Sequence, residues 1–338
     1  MLRFELALKA NFNPSQPRVP AGRPSGGRWT RVGSPPGEGP AAPLRTSPAP
    51  SSAGSIDDGW TVVGRRTDGM VREETVVHRD GSAIRAEVSA APLTTGWDER
   101  YTVIGTDGTI LTFQNRGRHQ QVFDSSASLI AESRWSPQGV TTEPTVQPAF
   151  LSLLLETVEL GLTLFTWLST RNTPERQAVI AFSAREFRPG APPSLALDFV
   201  GTLSRDELEE ACPRLGEVQM RTNDAVETVR RRGALDLSPT QFGTAVHVAL
   251  KNQINSLDDP HFRAEVSALK SLDEKYGTRE SIQIDVFENV GGGTVCVYDI
   301  KTGRAGLSFS RAREIAIKVL NSFGGATKII VIEVRPSQ

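Results

Sequence analysis

"CVYDIKTG", residues 296–303, closes an apolar run of β-forming residues that begins at Val295. An aspartate interrupts the run at 299 and a lysine follows at 301. In a strand, side chains two apart share a face, so Asp299 and Lys301 point the same way. Such a pair on an edge strand is an ordinary solvent-facing ion pair. On a core strand it needs another explanation, and the neighbouring sequence supplies one.

Upstream, "SIQIDVFEN" (281–289) reads as a strand, and "NVGGG" (289–293) reads as the loop joining it to 294–300 in an antiparallel hairpin. If Glu288 pairs with Thr294, Asp285 lies opposite Val297 on the same face as Asp299, diagonally next to it and about 7 Å away between Cα atoms. A slip of one residue moves Asp285 to the other side. Two carboxylates converging beside a lysine repel each other unless a cation lies between them. A hard cation such as Mg²⁺ prefers carboxylate oxygens and keeps several waters, one of which it acidifies. The lysine then orients the attacking water or stabilises charge on a phosphorane.

Before the hairpin, "SPTQFGTAVHVALKNQI" (238–254) carries a helix start signal. Ser238 caps, Pro239 suits the first turn, and Gln241 stands where a capping box requires it. His247 borders the apolar stripe of this helix one turn after Gly243, whose missing side chain permits close approach. Alone, such a histidine reads as a core residue. Glu265, in "AEVSAL", is either a further acid of the site or a surface charge on a short strand. After the lysine strand, "KTGRAGLSFSRAR" offers Arg304, Arg311 and Arg313 as a local phosphate-binding patch, or as ordinary solvated arginines.

Taken together, "GTAVH", "IDV" and "YDIKTG" resemble the PD-(D/E)XK nuclease superfamily, closest to its RecB-like branch. There a helical Gly-x-x-x-His, a strand Asp and a (D/E)-x-Lys-Thr-Gly strand occur in this order. The resemblance covers roughly residues 238–336. It implies a restriction-endonuclease-like α/β core, a mixed central sheet flanked by helices, and Mg²⁺- or Mn²⁺-dependent phosphodiester cleavage with DNA the favoured substrate. Asp285 and Asp299 would bind the metal, Lys301 would serve the water, and His247 would support the site, with Glu265 a further acid. The sequence departs from the branch in having Asp at 299, where Glu is usual. It also departs after the lysine strand, where the branch has Gln-x-x-x-Tyr and this helix offers Arg311 and Glu314.

The remainder of the 338 residues is less explicit. Thirty-eight basic and 39 acidic residues give a net charge of −1, which excludes a global basic field for nucleic acid. Two cysteines, Cys212 and Cys296, lack metal or redox spacing, so neither a zinc site nor a disulfide framework is expected. Residues 1–57, rich in Pro, Gly and Ser, read as a disordered leader without a signal peptide. Residues 58–140 read as an antiparallel β module, with Asp-Gly turns at 68–69, 80–81 and 107–108 whose residues both want positive φ. Residues 148–234 read as a hydrophobic helix plus a helical linker, and 235–338 as the nuclease domain, an α+β multidomain whole. The apolar helix "AFLSLLLETVELGLTLFTWL" (149–168) has a bilayer's length, yet Glu156 and Glu159 near its centre favour a buried helix over a membrane span. The arrangement looks like a bacterial toxin or effector, which would imply an immunity protein or secretion chaperone as partner. A phage or repair nuclease, an inactive binding module and a virion or secretion-apparatus component are the alternatives.

Overall fold

The hairpin of 283–300 lies at the heart of a mixed sheet. The computed structural model describes residues 55–56, 59–144, 151–173, 175–185, 194–232, 237–267, 283–303, 306–322 and 327–337. The leader expected over 1–57 lies outside these apart from β1 (Ser55–Ile56), and so does Arg304.

From β1, an antiparallel meander of nine strands runs in chain order: β2 (Trp60–Asp68), β3 (Val71–His78), β4 (Ala83–Ser89), β5 (Glu99–Ile104), β6 (Ile110–Arg116), β7 (His119–Phe123), β8 (Leu129–Ser136) and β9 (Gly139–Pro144). A one-turn helix, α1 (Pro92–Thr95), links β4 to β5. Its turns differ from expectation in one respect. Gly81 and Gly108 take positive φ, but Asp80 and Asp107 do not. Their carboxylates instead accept the amides of Ser82 and Thr109 two residues on, at 2.8 and 2.9 Å, the Asx-turn route through connections longer than two residues.

The second sheet has six strands in the order β11-β10-β15-β14-β13-β12. Its members are β10 (Arg176–Arg185), β11 (Ser194–Ser204), β12 (Phe262–Ser267), β13 (Gln283–Gly291), β14 (Thr294–Ile300) and β15 (Lys328–Val334). All neighbours are antiparallel except β14 and β15. The fold class is therefore α+β with a mixed sheet. Two of its strands, β10 and β11, come from upstream of residue 235, so the sheet runs across that position.

Helices cover both faces. On one side lie α2 (Leu151–Ser169) and α6 (Phe309–Ser322); on the other lie α3 (Arg205–Ala211), α4 (Leu215–Arg231) and α5 (Pro239–Asn255). Alternation along β14 follows suit. Val295 and Val297 pack towards α2 and α6, whereas Cys296, Tyr298 and Ile300 pack towards α4 and α5.

The apolar helix α2 is enclosed on both sides. Leu162, Leu164 and Phe165 have no exposure and share a core with Val103, Leu111 and Phe113 of the first sheet and Ile180 and Val200 of the second. The two acids stand at its margin, Glu156 half-buried and Glu159 exposed. Among the described residues, no helix is long and apolar enough to cross a membrane.

One tie was not expected. Cys212, just after α3, forms a disulfide with Cys296 of β14, 84 residues on, with 5.9 Å between the Cα atoms. Neither cysteine has any exposure. The spacing in sequence carried no signal, because α4, α5 and a hairpin intervene before the chain returns.

Candidate functional site

Strand β14 is central, flanked by β13 and β15, and every residue in it is buried. The solvent-facing edge pair is thereby excluded: Asp299 is 1% exposed. Lys301 follows the strand's last residue, and its Nζ lies 2.7 Å from Asp299 Oδ2. At that distance the ammonium offsets part of the buried carboxylate's charge.

The hairpin register differs by two residues from expectation. Val286 pairs with Tyr298 and Glu288 with Cys296, not Thr294. Asn289, Val290 and Gly291 stay in the strand, with a bulge between Asn289 and Gly291, so the connection shrinks to Gly292 and Gly293. All three glycines have positive φ, which is what lets so short a turn close. A shift of two keeps the face. Carried one step on, the register places Asp285 opposite Asp299 instead of Val297, closer than the expected diagonal.

Helix α5 brings the histidine. The capping box forms as the sequence predicts, with Ser238 and Gln241 each satisfying the other's amide. Gly243 sits so close to the segment after β14 that a Cβ there would meet Thr302 Oγ1 at 3.0 Å. One turn on, His247 Nδ1 stands 3.5 Å from Asp285 Oδ1. Asp285 Oδ2 accepts the Ile300 amide at 2.8 Å, which fastens the β13 carboxylate to the end of β14.

Charge sets these groups apart. Burial alone would push the Asp285 carboxyl up, but His247, the Ile300 amide and the Lys301 charge together hold it below its usual range. Burial, then the negative charge of Asp285, pushes Asp299 up against the pull of Lys301 and Arg311. His247 is raised chiefly by its hydrogen bond to Asp285. The pair thus has one ionised carboxylate and a neighbour whose ionisation is penalised, an arrangement that a cation relieves.

The other expected residues scatter. Glu265 stands between Ala264 and Val266, whose partners Val286 and Ile284 flank Asp285, so the sheet brings it near. Its φ of 52° is left-handed, and its carboxylate pairs with Lys251 Nζ of α5 at 2.5 Å. Arg311 of α6 does join the site, with Nε 3.8 Å from Asp299 Oδ1. Arg313 points elsewhere and pairs with Glu159 of α2 at 3.7 Å.

Sequence reasoning overlooked Glu333 and Arg335 at the end of β15. The signal was present: "EVR" repeats the acid-x-base spacing of "DIK", inside another Ile/Val run. Parallel pairing sets Asp299 beside Glu333. Burial drives the Glu333 carboxyl up to about 7; Arg335 opposes this and the Asp299 charge adds to it. From the ordinary 4.5 up to that value the folded chain keeps a proton that the unfolded chain has released. Stability attributable to this group therefore declines as pH rises through that window, by on the order of 3 kcal/mol. Urea unfolding in EDTA at both ends of the window is expected to show this decline in the parent chain and its loss in Glu333→Gln. An unchanged slope in the variant would refute it.

Among the described residues, no three His, Cys, Asp or Glu side chains converge as a ready-made metal cage. Mg²⁺ is commonly held by one or two carboxylates together with waters and substrate phosphates, and Asp285 and Asp299 are carboxylates of that kind. A cavity of about 820 Å³ lies elsewhere, between the first sheet, α2 and the entry to α6. Asp80, Asp107, Glu156 and Glu159 line it together with His78 and Arg79, and none of Asp285, Asp299 and Lys301 does.

Comparison of the chain with family models, curated proteins and solved structures gives no match.

Proposed function

We infer that the chain is a divalent-metal-dependent nuclease that hydrolyses phosphodiester bonds, with DNA the favoured substrate. One observation carries the reading: Asp285 and Asp299, on neighbouring strands inside the sheet, bring two carboxylates together beside Lys301. A core built for packing alone gains nothing from burying like charges together, and replacing such groups by apolar ones is often neutral or stabilising. The order of α5, β12, β13, β14, α6 and β15, with its mixed sheet between helices, supports the resemblance to the PD-(D/E)XK superfamily and its restriction-endonuclease-like core.

In this reading Asp285 and Asp299 hold Mg²⁺ or Mn²⁺ through carboxylate oxygens. A cation held there would supply an acidified water and neutralise charge on the scissile phosphate. Lys301 orients the attacking water and stabilises the charge developing on the phosphorane. Arg311, beside Asp299, would meet a second phosphate oxygen. His247 holds Asp285 in position, as outer-shell partners of metal ligands do. His247→Ala is accordingly expected to lower cleavage about ten- to a hundredfold, with part of the loss regained at high Mg²⁺. A rate within about twofold of the parent at all Mg²⁺ concentrations would remove His247 from the site.

The experiment for the whole reading is supercoiled-plasmid cleavage by the purified chain with Mg²⁺, Mn²⁺ or EDTA, and with an RNA substrate alongside. Cleavage only with metal supports it, and RNA cut in preference to DNA would change the substrate class. No cleavage of either would leave the C-terminal sheet as a binding module. A toxin or effector role fits better than a cytosolic repair nuclease on one specific ground. Buried disulfides form and persist in oxidising compartments, and reducing cytosol does not favour them.

A further inference from the structure

The chain just after the Asp299-x-Lys301 strand is gripped from β15. The Lys301 amide bonds to the Val334 carbonyl at 3.0 Å. Arg335 Nη1 donates to the Gly303 carbonyl at 2.6 Å. Glu333 Oε2 accepts the Leu307 amide at 2.6 Å, and its Oε1 accepts Arg335 Nε at 2.7 Å. Three neighbouring residues thus fasten the chain at 301, 303 and 307.

Chemistry separates this from a third metal ligand. Both Glu333 oxygens already have donors, and the side chain has no exposure. A neutral glutamine would serve Leu307 equally well, and would avoid a second buried carboxylate beside Asp299. What Glu333 adds is a second acceptor oxygen, for Arg335, and what Arg335 then holds is Gly303. The planar guanidinium suits this task, since its fixed fork addresses the carboxylate and the carbonyl together. Asn172, after α2, donates to the Glu333 carbonyl at 3.3 Å and steadies the anchor from the other side.

We propose that Glu333 and Arg335 are positioning residues that hold the Lys301–Gly303 segment so that the Lys301 amine stays against Asp299. The effect on turnover rests on the nuclease reading; the geometry does not. The test compares the full chain with Arg335→Ala, Arg335→Lys and Glu333→Gln by two measurements. One is plasmid cleavage at saturating Mg²⁺, resolved into kcat and KM. The other is the rate at which an amine-reactive reagent labels Lys301, followed by peptide mass spectrometry without metal.

Arg335→Ala is expected to lower kcat about tenfold or more, because small misplacements of reacting groups are costly, while KM changes much less. Labelling of Lys301 should rise several-fold, on the order of the same freed fraction. Arg335→Lys should recover part of both, as a point charge without the fork. If Arg335→Ala does not fold, Glu333→Gln, which keeps an acceptor for Leu307, is read by the same two measurements. Unchanged labelling together with an unchanged kcat would overturn the proposal, and so would a loss confined to thermal stability. A parent chain that cleaves nothing would remove the nuclease reading alone, and labelling would still decide the clamp.

Discussion

On the proposed reading, Asp299→Asn is expected to abolish metal-dependent cleavage and to leave the metal-free chain at least as stable as the parent. Both halves follow from the same buried carboxylate. Losing a charged ligand removes several kcal/mol of charge stabilisation from the reacting phosphate, so the rate falls by about 10³ or more. Lys301→Ala is expected to fall by about 10² to 10⁴, the usual worth of a positioned proton-handling group. Stability moves differently. Burial and the Asp285 charge oppose ionisation of Asp299, so the isosteric amide removes a penalty that Lys301 and Arg311 only partly offset. An ion pair present for structure predicts the reverse, a loss of roughly 3–5 kcal/mol when one partner of a buried pair is neutralised. Plasmid cleavage and urea unfolding in EDTA on one preparation separate the two. An Asp299→Asn chain that is active, or inactive only because it is unfolded, would sink the metal-site account.

Removing the disulfide is expected to cost the most stability. Cys212 and Cys296 close a loop of 84 residues in sequence, and a cross-link of that span constrains the unfolded chain by about 4 kcal/mol. Domains are stable by only about 5–15 kcal/mol in total. The double variant Cys212→Ser/Cys296→Ser should therefore unfold at a markedly lower urea concentration, as should the parent chain under a strong thiol reductant. The effect reaches the site because Cys296 lies in β14, three residues before Asp299. A midpoint unchanged by the double substitution would mean that the core alone fixes this corner.

The candidate site was more legible than the fold around it. Spacing of two in "DIK", the strand reading of "IDVFEN" and a capping box before His247 are local patterns, and each is met by the structure. The register was read two residues off, because three consecutive glycines permit a turn shorter than their number suggests. The Cys212–Cys296 tie was invisible for a different reason. It joins segments separated by helices, and nothing in the intervening residues encodes which strand returns alongside. The membership of β10 and β11 in the second sheet has the same origin. "QAVIAFSAREF" reads as a strand, but its partners are chosen by the tertiary fold.

The enclosure of α2 between the two sheets bears on how this chain can be handled, by an experimenter or by a protease. Residues 52–338 behave as one compact unit. A cut near 235 would strip β10 from β15 and leave an open strand edge and a bare apolar face. The segment carrying Asp285, Asp299 and Lys301 is thus not a self-standing unit. Excised on its own it should aggregate, because its folded state depends on β10, β11 and α2.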